Sequence, residues 1–354
     1  MKVRFVVFSG YNDRAIIAFF RTLKKNNVGF DIIACTKEDF VFRTIYAQNV
    51  VYVRKGKELS LPEITTVLKQ IKVINNTDEK YVILPSSEFL NRFLLRNRKE
   101  IEELGFEIPL VEEALYDQIS DKSIFATICN ENGIKIPEVG KEIPMVAKPK
   151  YYFSTDARPI APYLLLTESE YQEFKEKEKE EDFFFQRYIE GESLYLLCYF
   201  YKDGTVDVFS QRNLIQQTGG KSIVAAEYSD FWKTDEADKY VNLLKSMSFR
   251  GLIMIEVRKE KHYYMIEANP RIWGPSQFLL DSQANLLESM LNDLGAIESR
   301  PQILQNYRKD AKYFWKKGLE KETVLHCEKR EAEEKWEELK KYDIFSYDDI
   351  LSGE

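Results

Sequence analysis

Over the first 110 residues the apolar positions switch between two spacings. The runs VRFVVFS, FDIIACT, NVVYVRK and YVILPSS are short and almost continuously apolar, as strands covered on both faces require. Between them, DRAIIAFFRTLKKNN has helical spacing with Asp13 placed to cap it. LPEITTVLKQIKVIN has the same spacing, with Pro62 in its first turn. EFLNRFLLRNRKEIEELG adds a further helical stretch. This alternation predicts a parallel sheet with helices on its faces over residues 1–110. Such sheets bind ligands beyond the carboxyl ends of their strands, which makes Ser9, Gly10, Tyr11, Asn12, Ser86, Ser87 and Glu88 candidates for substrate contact.

The pattern then changes. DQISDKSIFATICNENGIKIPE predicts a helical stretch ended by Gly133 and Pro137. PMVAKPK and PYLLLTES predict strands, and YQEFKEKEKEED a solvated helix laced with near-neighbour ion pairs. EDFFFQRYIE, SLYLLCYFYKDGTVDVFSQR and GLIMIEVRKEKHYYMIEANPR are apolar runs broken by turn-like charged residues, which predicts antiparallel hairpins. The stretch after residue 300 predicts a charged helical tail.

Composition narrows the classes of function. With 354 residues, 44% hydrophobic and 31% charged, the chain suits two or three packed globular units. A net charge of −7 argues against a nucleic-acid partner, since the phosphate backbone calls for a basic face. No segment approaches the roughly 20 apolar residues of a membrane helix, and the N-terminus lacks a secretory apolar core. A cytoplasmic protein without a membrane partner is the expectation. Cys35, Cys129, Cys198 and Cys327 are scattered and only His262 and His326 could join them, so reduced, buried thiols are expected rather than zinc ligands. No GxGxxG follows the first strand, which removes the main support for a dinucleotide-dependent dehydrogenase.

The chemistry concentrates in GLIMIEVRKEKHYYMIEANPR. Folded as a hairpin, this segment puts Glu256 and Glu267 on adjacent strands, each ending an apolar run. Two poorly solvated carboxylates repel unless a cation lies between them. Magnesium takes oxygen ligands and often one or two carboxylates together with substrate phosphates. Asn269, two positions on, shares the strand face and offers a neutral oxygen; Arg271, two further, offers a guanidinium to a phosphate or developing anion. A solvated surface hairpin is the plain alternative.

A carboxylate on one strand followed by E-x-N-x-R on the next resembles the signature of the ATP-grasp superfamily, here Glu256 and Glu267-Ala-Asn-Pro-Arg271. The resemblance covers most of the chain. Lys122 in ISDKSIFATICNENGIKIP is similar to the lysine that the family places near the phosphates, and Lys148 in MVAKPK to the strand lysine at the α-phosphate and adenine. FFFQRYIEGES resembles the hinge whose backbone reads the adenine edge, implying Gln186, Arg187, Tyr188 and Ile189 at the base and Glu192 at the ribose. Arg212 and the turn Gly219-Gly220-Lys221-Ser222 resemble the triphosphate and acceptor side, although a plain turn would look the same. Two departures stand out: KPKYYFSTDARPIAPY has no glycine where relatives carry a glycine-rich phosphate lid, leaving Lys150, Ser154, Thr155 and Arg158 as its polar groups, and Glu192 sits one place before the usual acid.

The resemblance implies an α/β protein: an N-terminal parallel-sheet (pre-ATP-grasp) substrate domain over 1–110, then a two-lobed ATP-grasp domain. Its central and lid part would span 111–182, its C-terminal part with the metal site 183–300, and the tail 301–354. It also implies ATP with magnesium, or manganese in its place, and an acylphosphate formed on a small-molecule carboxylate and opened by an amine or ammonia. Glu256, Glu267 and Asn269 would hold the metal, Lys122 and Lys148 the phosphates, and Arg271 with Arg212 the developing charge. Nothing marks an attached biotin or glutaminase unit, so a stand-alone ligase is expected over a carboxylase or carbamoyl phosphate synthase. Amino acids, short peptides and sugar acids stay open as substrates. A non-catalytic ATP-binding regulator or sensor is the alternative, and the charged tail leaves a homodimer open.

Overall fold

The computed structural model describes residues 2–75, 78–150, 161–301 and 307–351. Its N-terminal sheet holds five parallel strands in the order β3-β2-β1-β4-β5. These are β1 (Val3–Phe8), β2 (Gly29–Ala34), β3 (Val50–Val53), β4 (Lys80–Ile83) and β5 (Phe106–Glu107), with helices α1 (Asp13–Lys25), α2 (Leu61–Asn75), α3 (Glu88–Arg96) and α4 (Arg98–Glu103) between them. Alternate residues of β1 feed two cores: Phe5 and Val7 pack with α1, Val6 and Phe8 with α2 and α3. Two local expectations shift. The stretch expected as one helix from residue 88 breaks at Asn97, whose amide donates to Phe93 O at 2.7 Å. Asp13 is the first residue of α1 and not its cap; the cap position is Asn12.

Helix α1 is buried nearly all round, from Ala15 to Leu23, because a second body covers the face that the sheet leaves open. That body includes α9 (Gln277–Asp281) and α10 (Leu286–Asp293), whose Phe278, Leu279, Leu287 and Leu291 join the same core. Ahead of these come α5 (Glu113–Ser120) and α6 (Lys122–Glu131), split at Asp121, whose carboxylate accepts from the Ser123 and Ile124 amides at 2.9 Å and caps α6. A three-stranded antiparallel sheet follows, β7-β6-β8, made of β6 (Met145–Pro149), β7 (Tyr163–Leu165) and β8 (Phe183–Arg187) with α7 (Glu168–Lys177) packed on it.

The large sheet is antiparallel, with order β13-β12-β9-β10-β11-β14 and β15 beside β10. Its strands are β9 (Glu192–Phe200), β10 (Val206–Gln217), β11 (Ile223–Tyr228), β12 (Gly251–Lys259), β13 (Tyr263–Asn269), β14 (Lys312–Phe314) and β15 (Thr323–Leu325), with α8 (Asp235–Ser246) against one face. The tail therefore departs from the expected run of charged helix. Among the described residues it contributes β14 and β15 to the sheet, two short α-helices, α11 (Lys329–Glu334) and α12 (Trp336–Leu339), and two 3-10 turns. Its charges lie among apolar anchors, including Tyr313, Phe314, Leu339 and Ile344, all fully buried. Asp349 closes the tail onto α1, its two oxygens receiving Arg21 Nε at 2.8 Å and Nη2 at 2.7 Å. Cys35, Cys129 and Cys198 are buried and Cys327 partly so, all as free thiols. Among the described residues no helix is long and apolar enough to cross a membrane.

Candidate functional site

The three-stranded sheet and the large sheet face each other across a cleft of about 810 Å³. Strand alternation decides what enters it. On β6, Met145 and Ala147 point into the small sheet's own core, so Val146 and Lys148 point into the cleft, and Gln186 on β8, paired with Val146, does the same. On β12, Ile253, Ile255 and Val257 face the core under α8, which turns Glu256 and Arg258 to the cleft. Glu256 is directly opposite Glu267 in the β12–β13 register, so the two carboxylates meet as the hairpin reading requires.

The charges are tightly coupled. Lys122 opens α6, a place where a cation opposes the helix dipole, and its Nζ lies 2.7 Å from Glu267 Oε2. Burial raises the Glu267 carboxyl, but Lys122 and the Asn269 amide, which donates to Oε1 at 2.8 Å, outweigh it and hold the group below the ordinary carboxylate range. Glu256 is shifted the other way: burial raises it, the Glu267 charge adds to that, and Arg258 at 3.4 Å only partly compensates. Glu256 thus lacks the full positive partner that Glu267 has. Lys148 donates to Ile266 O at 3.0 Å, and burial, reinforced by the Lys122 charge, pushes its ammonium down to about 7.

Lys122, Lys148, Gln186, Arg187, Tyr188, Ile189, Glu256 and Glu267 all line this one cleft. At the hinge, the Arg187 amide donates to Glu138 O at 2.8 Å and the Tyr188 amide to Pro144 O at 2.9 Å. Ile189 N–H makes no hydrogen bond among the described residues, which leaves it as the hinge donor open to a ligand. Asn269 touches Glu267 through its nitrogen while its oxygen accepts from Arg271 Nη2 at 3.2 Å. Arg271 itself lines a second, smaller cavity of about 380 Å³, with Tyr116 and Tyr199, beside the N-terminal sheet.

Two expected residues lie elsewhere. Arg212 pairs across β9 with Leu194, and Leu194 with Val257, so Arg212 occupies the sheet face opposite Glu256. There it is held by Glu227 and Glu331. Glu192, on that same face, contacts Lys259 at 3.4 Å and Arg212 at 3.7 Å and does not line the cleft. Gly219 and Gly220 do line it. Of the lid's polar groups, Ser154, Thr155 and Arg158 fall outside the described residues, and Lys150 donates to Glu181 O at 2.9 Å. The polar groups at the end of the parallel sheet mostly engage one another. Ser9 Oγ donates to Asp39 at 2.7 Å, Tyr11 takes Arg54 at 2.6 Å, Ser87 caps α3, Glu88 binds Arg92 at 2.8 Å, and the Asn12 amide bridges Ser86 O and Ile272 O.

No protein-family model and no curated protein matches the sequence. Solved structures do match. A biotin carboxylase from Campylobacter jejuni, described as a β-γ-ATP complex, superposes with a TM-score of 0.61 at 14% identity, over 88% of this chain and 74% of its own. The biotin carboxylase domain of 2-oxoglutarate carboxylase from Hydrogenobacter thermophilus, solved with MgADP, ADP and bicarbonate, gives 0.63 at 13% identity, over 88% and 74%. N5-carboxyaminoimidazole ribonucleotide synthetase from Thermotoga maritima gives 0.53 at 14% identity, over 86% and 79%. The chain has the ATP-grasp fold. At these identities the likeness speaks for the fold alone.

Within this ATP-grasp fold, sequence reasoning missed several cleft residues. Arg258 carried a usable signal, since it follows Glu256 by two along the same strand face. Val324 and His326 carried none, because β15 reaches the cleft from a segment that showed only charge, and Gln216, on β10, was one neutral amide in a polar stretch.

Proposed function

We propose that this chain is an ATP-dependent ligase that activates a small-molecule carboxylate as an acylphosphate and joins it to an amine or ammonia, releasing ADP and phosphate. The observation that carries this reading is the cross-strand pair Glu256 and Glu267, facing Lys122 and Lys148 in a cleft whose far end offers the Ile189 N–H. The donor set fits magnesium, or manganese: two carboxylates with Asn269 beside them, one of which, Glu256, is under-compensated. Bound there, the ion would supply positive charge to the oxygens of the transferring phosphoryl group.

The chain's own residues divide the remaining work. Ile189 and its hinge neighbours hold the base. Lys148 and Lys122 neutralise phosphate oxygens and keep the terminal phosphoryl in line with an incoming carboxylate oxygen. That oxygen attacks the γ-phosphorus as the bond to ADP breaks; the amine nitrogen then adds to the acyl carbon, losing its proton to solvent as phosphate leaves. Arg271, between the cleft and the smaller cavity, steadies the anionic oxygen formed in that addition. The acceptor side falls to the N-terminal unit, 1–110, with the nucleotide held by the parts at 111–182 and 183–300. A cytoplasmic location and a homodimer go with this reading.

Phosphate release measured with ATP, magnesium and pools of amino acids and other carboxylates tests it. A substrate-dependent signal is expected, and Glu267→Gln should lower it by at least about 100-fold with the melting temperature maintained. Wild-type activity in that variant would sink the assignment. ATP binding with no phosphate release under any mixture would instead favour a nucleotide sensor.

A further inference from the structure

His326 belongs to the C-terminal segment and yet lines the cleft. Strand β15 puts it there by pairing Leu325 with Ile215 and Val324 with Gln216, after which the His326 amide donates to Leu214 O at 2.9 Å. Its ring closes a small network. Gln216 Oε1, which can only accept, lies 2.8 Å from His326 Nε2, so the proton is on that nitrogen and Nδ1 is bare. Arg258 Nη1 lies against the ring, 2.8 Å from Nδ1 and 3.2 Å from Nε2, so the bare Nδ1 is the nitrogen that can accept from it, and Arg258 Nη2 donates to Gln216 Oε1 at 2.8 Å. Gln216 Nε2 in turn donates to Lys221 O at 3.0 Å, in the turn whose glycines line the cleft. The guanidinium is therefore fixed from two sides by neutral groups.

Its place along β12 is informative. At the turn of the hairpin, Glu260 pairs with the hinge residue Arg187 at 3.2 Å; four residues inward along β12 is Glu256. Arg258 lies between hinge and carboxylates, where the sugar and inner phosphate of a nucleotide running from one to the other would fall. Among the described residues its ion-pair partner is Glu256 at 3.4 Å. A divalent ion on Glu256 takes that charge away, and the guanidinium then needs an anion from the ligand.

We propose that His326 is a positioning residue: with Gln216 it aims Arg258 at the inner phosphate of the bound nucleotide, which makes the C-terminal strand part of the nucleotide site. This rests on the nucleotide reading above. It also accounts for a site in which Glu192 and Arg212 face away from the cleft.

The test compares the full-length wild type with His326→Leu and His326→Asn. Asparagine keeps an acceptor where Nδ1 stands; leucine removes it. Affinity is measured by calorimetry for a magnesium-bound non-hydrolysable ATP analogue and by ligand-observed NMR for adenosine, which has no phosphate, with melting temperatures alongside. His326→Leu is expected to weaken the analogue by about tenfold to thirtyfold, the scale of one hydrogen bond to a charged group. Adenosine binding should stay at the wild-type level, and His326→Asn should restore analogue affinity to within about threefold. Unchanged analogue affinity in His326→Leu overturns the proposal, as does an equal loss for both ligands or a failure of His326→Asn to rescue. A wild type that binds neither ligand overturns the nucleotide reading itself, an outcome distinct from the others.

Discussion

Lys148 should take up a proton when an adenine nucleotide enters the cleft. In the ligand-free protein burial, with the Lys122 charge behind it, brings this ammonium down to about 7, and the Glu256 and Glu267 charges only partly offset that. At pH 8 about nine in ten Lys148 side chains are then neutral, and at pH 9 about ninety-nine in a hundred. A phosphate placed against Nζ favours the charged form and returns the proton. Binding at pH 8 should consume close to one proton, about 0.9, and affinity should fall roughly tenfold, about 1.4 kcal/mol, from pH 8 to pH 9. The terminal phosphate of ATP is already ionised in that window. Stability moves in the opposite sense: the folded-state value lies below the unfolded 10.5, so the unfolded chain binds more protons between about 7 and 10.5. The ligand-free protein therefore gains from this group as pH rises through that range and loses the gain as pH falls through about 7. Calorimetry of an ATP analogue in buffers of different ionisation enthalpy reads the proton directly. Lys148→Arg, which stays charged throughout, should show neither the uptake nor the slope. Binding heats independent of buffer at pH 8, or the same slope in Lys148→Arg, would refute the reasoning.

Two further substitutions test the frame around the cleft. Asp349→Ala leaves the Arg21 guanidinium, 10% exposed, without its bidentate partner and strips a bond from Tyr46; a loss of about 3 kcal/mol in urea denaturation is expected, and a loss under about 0.5 kcal/mol would show that the tail is not held this way. Arg212→Met should leave phosphate release within about threefold of wild type, because Arg212 faces away from Glu256, and should cost only about 1–2 kcal/mol because Glu227 keeps Lys335 at 2.7 Å and Lys312 at 3.3 Å. A collapse of activity with stability intact would place Arg212 in the chemistry after all.

What the sequence disclosed followed periodicity. The four long strands of the parallel sheet and the β12–β13 hairpin were legible because their apolar runs end where polar residues must begin, and Glu256 against Glu267 followed from the hairpin alone. Lys148 was reached only through likeness to a family lysine; period two explains the outcome, since it sets Lys148 and Val146 apart from the core residues Met145 and Ala147. Arg212 and Glu192 were placed by likeness to a motif order, which carries no information about sheet face; one residue of parity reverses the side on which a group emerges. Helix α8 and strand β11 were missed: α8 does carry a start signal, the Thr234 cap and its acidic opening turn, which went unread, while β11 is six residues long with small alanines at its centre. Ion pairs joining residues hundreds of positions apart, such as Arg21 with Asp349, have no local signature at all.

The tail illustrates how distance in sequence hides function. Its charged residues suggested a helical tail, yet Glu331 and Lys335 pair with Arg212 and Glu227, while β14 forms one edge of the large sheet and β15 pairs with β10 beyond the end of β9. Through β15 the same segment delivers Val324 and His326 to the cleft, and through Asp349 it is fastened to α1, the helix shared by both bodies of the fold. The wall of the cleft beside Arg258 is therefore complete only when the last part of the chain has docked against the first. Removing the tail would strip apolar cover from α1 and release Arg258 together, so a truncation after residue 305 would test the fold and the nucleotide site as much as it would test self-association.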